Sequence, residues 1–202
     1  MSKPLYLASQ SPRRLELLRQ IGLLPTVLRL RGNHPRADVD ETPQPGEAPE
    51  DYVRRLAVAK AEVGLLAIRE RDLPVLPVVA ADTTVVIDGE ILGKPADAAE
   101  AAAMLRRYSG REHQVLTGVA VAMNGQMEVA GSDSRVRFKT LDEADIAAYV
   151  ASQEWADKAG GYGIQGKAAV FVEHLSGSYT GVVGLPLFET AALLRRVGFG
   201  VL

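Results

Sequence analysis

The stretch Val75–Ala81 is a continuous apolar run closed by Asp82, and a strand without polar alternation has to be covered on both faces. Helices are the usual cover, so this segment steers the chain toward an α/β architecture. At the start, Leu5–Ala8 feeds Ser11-Pro12 as N-cap and first helical residue, with Leu15, Leu18 and Ile21 at helical spacing and Gly22 as the stop. Pro49–Arg71 carries a second helical stripe of Tyr52, Leu56, Ala59, Val63 and Leu66. Asp88-Gly89 and Asn124-Gly125 are hairpin signals, the first between Thr83–Ile87 and Glu90–Leu92, the second between Gln114–Met123 and Gln126–Lys139. Asp97 can cap a helix through Tyr108, and Thr140-Leu141-Asp142-Glu143 has capping-box spacing ahead of a helix to about Ser152. Ala168–His174 and Tyr179–Val183 read as the last strands and Pro186–Val197 as the last helix. Leu23–Glu47 has prolines at 25, 35, 43 and 45 and no periodicity, which reads as a long loop. The expectation is one domain over residues 1–202, α/β, with a mixed central β-sheet flanked by helices and two lobes around a cleft.

Composition removes whole classes of function. With 23 Lys+Arg against 25 Asp+Glu the net charge is −2, which argues against a nucleic-acid partner. Cysteine is absent, so disulfides, thiolate nucleophiles and zinc-thiolate or iron–sulfur sites fall away and a reducing compartment is the simplest home. No apolar run reaches the length of a membrane span, and the apolar start is too short for a signal peptide. The reading is a cytoplasmic protein with no membrane partner.

What remains is chemistry suited to phosphate. At the first strand–helix junction Ser9, Ser11, Arg13 and Arg14 surround the free N–H groups of a helix N-terminus, where oriented donors, positive dipole and guanidinium forks favour anions. The Walker A spacing is absent. Asp82 ends the most apolar strand, a position where a carboxylate can hold a divalent metal or accept a proton from water. Lys60, on the long helix, and Lys94, in Gly93-Lys94-Pro95, offer point charges for phosphate oxygens. Asp38, Asp40 and Glu41 could reach a metal, and His34, His113 and His174 lack metal-ligand spacing. Oxygen-only ligands favour magnesium or manganese. These residues describe a metal-dependent enzyme of phosphate esters or anhydrides and leave transfer and hydrolysis open.

Six blocks in order resemble the Maf family of nucleoside triphosphate pyrophosphatases, also described as septum-formation-inhibitor-like proteins. They are Leu7-Ala8-Ser9-Gln10-Ser11-Pro12-Arg13-Arg14, Tyr52-Val53-x-Arg55-Leu56-Ala57-x-x-Lys60-Ala61, Ala81-Asp82-Thr83 before Gly93-Lys94-Pro95, Ser109-Gly110 with Thr117-Gly118-Val119, Asp157-Lys158-Ala159-Gly160-Gly161-Tyr162-Gly163-Ile164-Gln165-Gly166, and Gly177-Ser178-Tyr179 to Val183-Gly184-Leu185-Pro186. The resemblance implies hydrolysis of a nucleoside triphosphate to the monophosphate and pyrophosphate, which removes unwanted or non-standard nucleotides. It also implies a fold similar to inosine triphosphate pyrophosphatases, a divalent metal and a homodimer. By motif match Asp82 is the proton acceptor, Glu41 and Asp82 lie near the metal, and Ser9, Ser11, Arg13, Arg14, Lys60 and Lys94 hold the triphosphate. The Tyr-Gly-Ile-Gln-Gly ending points to the dTTP and UTP branch, with Arg13, Thr83 and Gln165 at the selectivity positions. The alternative is a non-catalytic nucleotide-binding regulator of cell division and septum formation.

Overall fold

The computed structural model describes residues 3–29 and 39–201. In chain order its elements are β1 (Lys3–Leu7), α1 (Pro12–Gln20), β2 (Leu23–Val27), α2 (Pro49–Glu70), β3 (Val78–Ile87), β4 (Glu90–Leu92) and α3 (Ala98–Tyr108). There follow β5 (Glu112–Met123), β6 (Gln126–Phe138), α4 (Glu143–Ala151), β7 (Val172–Ser176), α5 (Tyr179–Val183) and α6 (Leu187–Arg196). The strands form one mixed sheet in the order β2-β1-β3-β5-β6-β7, with β4 paired to β3. β1 is parallel to both β2 and β3, whereas β4 is antiparallel to β3 and β7 to β6. Contacts divide the chain into two compact units, one of residues 1–82, 117–132 and 184–202 and the other of 83–116 and 133–183.

In the first unit a core of Tyr6, Ala8, Leu28, Ala57, Ala61, Ile68, Val78, Ala80, Ala120 and Ala122 seats α2 on β1, β3 and β5. Small side chains set this approach. A Cβ on Gly118 of β5 would run into the Val53 carbonyl, and one on Gly64 would meet Val78 and Ala8 at 3.0 and 3.1 Å. The buried face of α2 therefore runs through Ala57, Ala61, Gly64 and Ile68, not through Ala59, Val63 and Leu66 as larger apolar residues suggested; Leu66 is exposed. Close packing favours the stripe that lets backbones meet.

Within the expected loop Leu23–Glu47 there is a strand, since β2 pairs with β1 from Lys3↔Leu23 to Leu7↔Val27. It is an edge strand, where Pro25 costs no ladder bond. The apolar run and Thr83–Ile87 merge into the single β3, so that Asp82 lies inside a strand.

In the second unit both residues of the Asp88-Gly89 turn have positive φ, 55° and 76°, as a tight hairpin requires. Asp97 caps α3 by accepting from the Glu100 N–H at 2.8 Å. The α4 cap is Asp142, which accepts from Asp145 N–H at 2.7 Å, and not Thr140. Residues 167–171 form a 3-10 turn ahead of β7, where a strand was expected. Tyr179–Val183 is helical despite its strand-like composition. Ser178 accepts from Gly181 N–H through its hydroxyl and from Val182 N–H through its carbonyl, both at 3.0 Å, and a capped turn outweighs weak β propensity.

Candidate active site

The first unit gathers its charged residues where β1 meets α1 and where β3 passes under α2. Ser11 caps α1, with the Arg14 N–H 3.5 Å from its hydroxyl oxygen, and the Ser9 hydroxyl accepts from Ser11 N–H at 3.2 Å. Arg14 turns back over the junction. Its Nε donates to the Gly184 carbonyl at 2.7 Å and its Nη1 to Ser9 Oγ at 3.1 Å. Burial pulls the Arg14 pKa down, partly offset by Asp82 and aided by Arg13; the guanidinium stays charged regardless. Arg14 is half-buried and latched to the segment before α6.

Lys60 is the centre of the second group. Its Nζ lies 2.6 Å from Asp82 Oδ1 and 2.7 Å from Glu41 Oε1. Asp82 is 9% exposed, whereas the Glu41 side chain is 53% exposed, so one carboxylate is fixed in a strand and the other reaches in from a loop. That loop is strapped to α2. Tyr52 OH donates to the Glu41 carbonyl at 2.9 Å. Arg55 Nη2 donates to the Thr42 carbonyl at 3.1 Å and Nη1 to the Asp40 carbonyl at 3.4 Å. The Arg55 fork also grips the Glu47 carboxylate at 2.5 and 2.8 Å, and that hydrogen bond above all holds Glu47 down to a pKa of about 2. Burial, with Asp82 and Glu41 nearby, pushes the Tyr52 hydroxyl up to about 12, so it remains a donor at neutral pH.

Ser9, Ser11, Arg14, Lys60, Glu41 and Asp82 thus share the first unit, with Arg13 on the first turn of α1. Asp40 is turned away, accepting from Thr42 N–H at 2.9 Å, and among the described residues Glu41 is the loop carboxylate that meets Lys60. Asp38 and His34 lie outside the described residues. Two hard anionic oxygens that converge on one cation are a donor set for magnesium or manganese, which usually takes one or two carboxylates and completes its shell with water and substrate phosphate. Among the described residues no group of three or more His, Cys, Asp or Glu side chains gathers as a metal cage.

Thr83, Lys94 and Gln165 belong to the second unit. Thr83 follows Asp82 on β3 and is half-buried. Lys94 is exposed, and the residue before it accepts from the glycine-rich loop, Gly160 N–H to Gly93 O at 2.9 Å. Gln165 is exposed, after buried Ile164 and before exposed Gly166. Sequence reasoning missed Tyr52, Arg55 and Glu47 as the frame of Glu41, although Tyr52 and Arg55 stand at i, i+3 on one helix face.

An α/β unit that sets hydroxyls and arginines at a helix N-terminus beside a lysine-bridged carboxylate pair has the make-up of a protein that handles phosphate anhydrides. The chain belongs to the Maf family: the family described as Maf-like protein matches residues 4–197. It is 56% identical over 196 residues to the dTTP/UTP pyrophosphatase of Dechloromonas aromatica (strain RCB), covering 96% of this chain and 98% of that protein. It is 54% identical over 198 residues to the dTTP/UTP pyrophosphatase of Nitrosomonas europaea, covering 98% and 96%. The dTTP/UTP pyrophosphatase of Ralstonia nicotianae is 56% identical over 193 residues, with 95% and 93% covered.

Proposed function

We propose that the protein is a divalent-metal-dependent nucleoside triphosphate pyrophosphatase that cleaves dTTP and UTP to the monophosphate and pyrophosphate, and so removes unwanted or non-standard nucleotides. The observation that carries this reading is the Lys60 ammonium shared by Asp82 and Glu41 in a chain about 55% identical to proteins that bear that name.

In this reading Ser9, Ser11, Arg13, Arg14, Lys60 and Lys94 hold the triphosphate, and the α1 N-terminus contributes oriented N–H donors. Water adds to phosphorus, the bond to the α–β bridging oxygen breaks, and the electron pair leaves with pyrophosphate. The proton of that water goes to Asp82, whose placement in a strand under a helix fixes its direction. Glu41 and Asp82 would hold a magnesium or manganese ion, which when bound neutralises phosphate charge. Thr83, Arg13 and Gln165 select the base; the Gln165 amide offers a donor and an acceptor, as a pyrimidine edge requires.

The protein acts as a cytoplasmic homodimer on free nucleotide, without a nucleic-acid or membrane partner. The net charge of −2 argues against a nucleic-acid partner; among the described residues no helix is long and apolar enough to cross a membrane. Light scattering in solution tests the dimer. Incubating the pure protein with single nucleotides and manganese tests the reaction: pyrophosphate from dTTP and UTP, and little from GTP, is expected. Inorganic monophosphate would overturn the reaction class, comparable GTP turnover the base preference, and tight binding without turnover would favour a non-catalytic regulator.

A further inference from the structure

We propose that Glu154 is a positioning residue for base selection, because its carboxylate clasps the end of the glycine-rich loop and so fixes the turn that presents Gln165. The inference rests on the reading of Gln165 as a base-selecting side chain.

All of the parts lie in the second unit. Gly163 and Gly166 close a turn, with Gly166 N–H donating to Gly163 O at 3.0 Å. Ile164 is buried in that turn and Gln165 is exposed at its tip. Immediately after it, Glu154 Oε2 accepts from the Lys167 N–H at 2.7 Å. The same carboxylate fills the space beside Gly166, where an added Cβ would run into Oε2 and stand 3.1 Å from Cδ. Gly166 has φ −101°, which other residues adopt freely, so glycine is needed there for room and not for a backbone angle.

The other face of the turn rests on the same segment. Lys158 Nζ donates to the Glu154 carbonyl, which draws the lysine stem across Gly163, where a Cβ would sit 3.0 Å from Cε. Farther back, Tyr108 OH donates to the Gly160 carbonyl at 2.9 Å and His113 Nε2 pairs with Tyr162 OH at 2.7 Å. The start of the loop is thus held by buried aromatic side chains. At its end, next to Gln165, the Glu154 carboxylate is the side chain that bonds the backbone, on Lys167 N–H, beside the local Ala169 N–H bond to the Gly166 carbonyl at 3.0 Å.

An exposed amide discriminates between base edges only if its backbone does not move to suit each one, since specificity comes from groups left unpaired by the wrong partner. A charge-assisted bond from Glu154 to a backbone N–H supplies that rigidity. Opening it frees the turn to adapt. The best substrates lose alignment and the poor ones gain contacts, which narrows selectivity without removing the phosphate or proton-transfer groups.

The experiment measures kcat and KM for UTP, dTTP, CTP and GTP with manganese, and Tm, for Glu154→Ala, Glu154→Gln, Gly166→Ala, the double variant and Gln165→Ala. Glu154→Ala should lower the preference for UTP over GTP about tenfold, with a smaller change in kcat for UTP. Glu154→Gln keeps a carbonyl oxygen for the Lys167 N–H and should retain most of the preference. Gly166→Ala expels the carboxylate and should reproduce Glu154→Ala even if the latter folds poorly, and the double variant should be no worse than either, as changes in one contact are not additive. An equal loss for every nucleotide, or a preference unchanged in Glu154→Ala and Gly166→Ala, overturns the clasp. If Gln165→Ala itself leaves the preference intact, the base-selecting role of Gln165 fails and the clasp with it; if Gln165→Ala flattens the preference and the other variants do not, the clasp alone fails.

Discussion

Lys60 Nζ stands 2.6 Å from Asp82 Oδ1, a contact that joins the middle of α2 to the middle of β3 and exists because small residues on both elements let them approach. The lysine side chain is 15% exposed, so the pair is largely removed from water while still open to an entering anion. In the proposed reading, an arriving phosphate takes part of the Lys60 contact and leaves Asp82 to face water.

Asp82→Asn keeps the shape and removes charge and basicity. A fall in kcat of at least ~10²-fold is expected, the lower end for loss of a general base, with the fold intact and nucleotide affinity equal or higher. Steady-state kinetics and nucleotide titration check it. Activity within a few-fold of wild type would move the base to Glu41.

Arg13 and Arg14 should separate. Either change to Ala should cost roughly 2–4 kcal/mol in kcat/KM through lost contacts to developing phosphate charge. Only Arg14→Ala should also lower stability, by about 1–2 kcal/mol, because it deprives the Gly184 carbonyl of its donor. Denaturant unfolding of the two variants makes the comparison, and equal stability would mean that the Arg14 latch contributes nothing measurable.

The strap on Glu41 gives a third outcome. Tyr52→Phe removes the hydroxyl that holds the Glu41 carbonyl and Arg55→Met releases Asp40, Thr42 and Glu47 together. Both should raise the manganese concentration needed for half-maximal rate, Arg55→Met by about tenfold or more, since a displaced ligand costs affinity on the scale of outer-shell changes. An unshifted metal dependence in Arg55→Met would sever the loop from the metal.

The sequence announced those parts whose cause is local. Asp88-Gly89, Asn124-Gly125 and the Asp97 cap each satisfy a backbone requirement within four residues, and the structure forms them as read. β2 was illegible because its partner, β1, supplies the reason for it from twenty residues away. α5 was misread because Ser178 is itself anchored to Ser134 of β6, its N–H donating to Ser134 Oγ at 3.0 Å, and no window around Tyr179 contains that residue. At the candidate site the charged groups could be named, since Ser, Arg, Lys and Asp advertise their chemistry. Their supports could not: the carbonyl of Gly184 and the close approach of Gly118 to Val53 arise only when distant segments meet.

The last prediction concerns pH and comes from a buried imidazole. His113 is 2% exposed, its Nε2 pairs with Tyr162 OH, and its Nδ1 has no partner among the described residues. Burial among Tyr108, Phe138 and Tyr162 pulls its pKa from 6.5 down to about 3. The folded state holds the ring neutral, while the unfolded chain protonates it below 6.5, so the unfolded state binds the extra proton. Stability is then fully present above pH 6.5 and is lost as pH falls toward 3. The lowered carboxylates Asp40, Glu47, Asp88, Glu143 and Asp145 start from 3.8 or 4.5 and add the same sign of loss at lower pH, which leaves the interval from 6.5 to about 5 chiefly to His113. Across it the unfolding free energy should fall with a slope approaching ~1.4 kcal/mol per pH unit, the value for one proton. His113→Phe should lower stability at pH 7, since Tyr162 loses its partner, yet flatten the slope. Urea unfolding at pH 7, 6 and 5 for both proteins decides: the same slope in the variant would mean that the folded protein already carries the proton and that another group sets the acid limit.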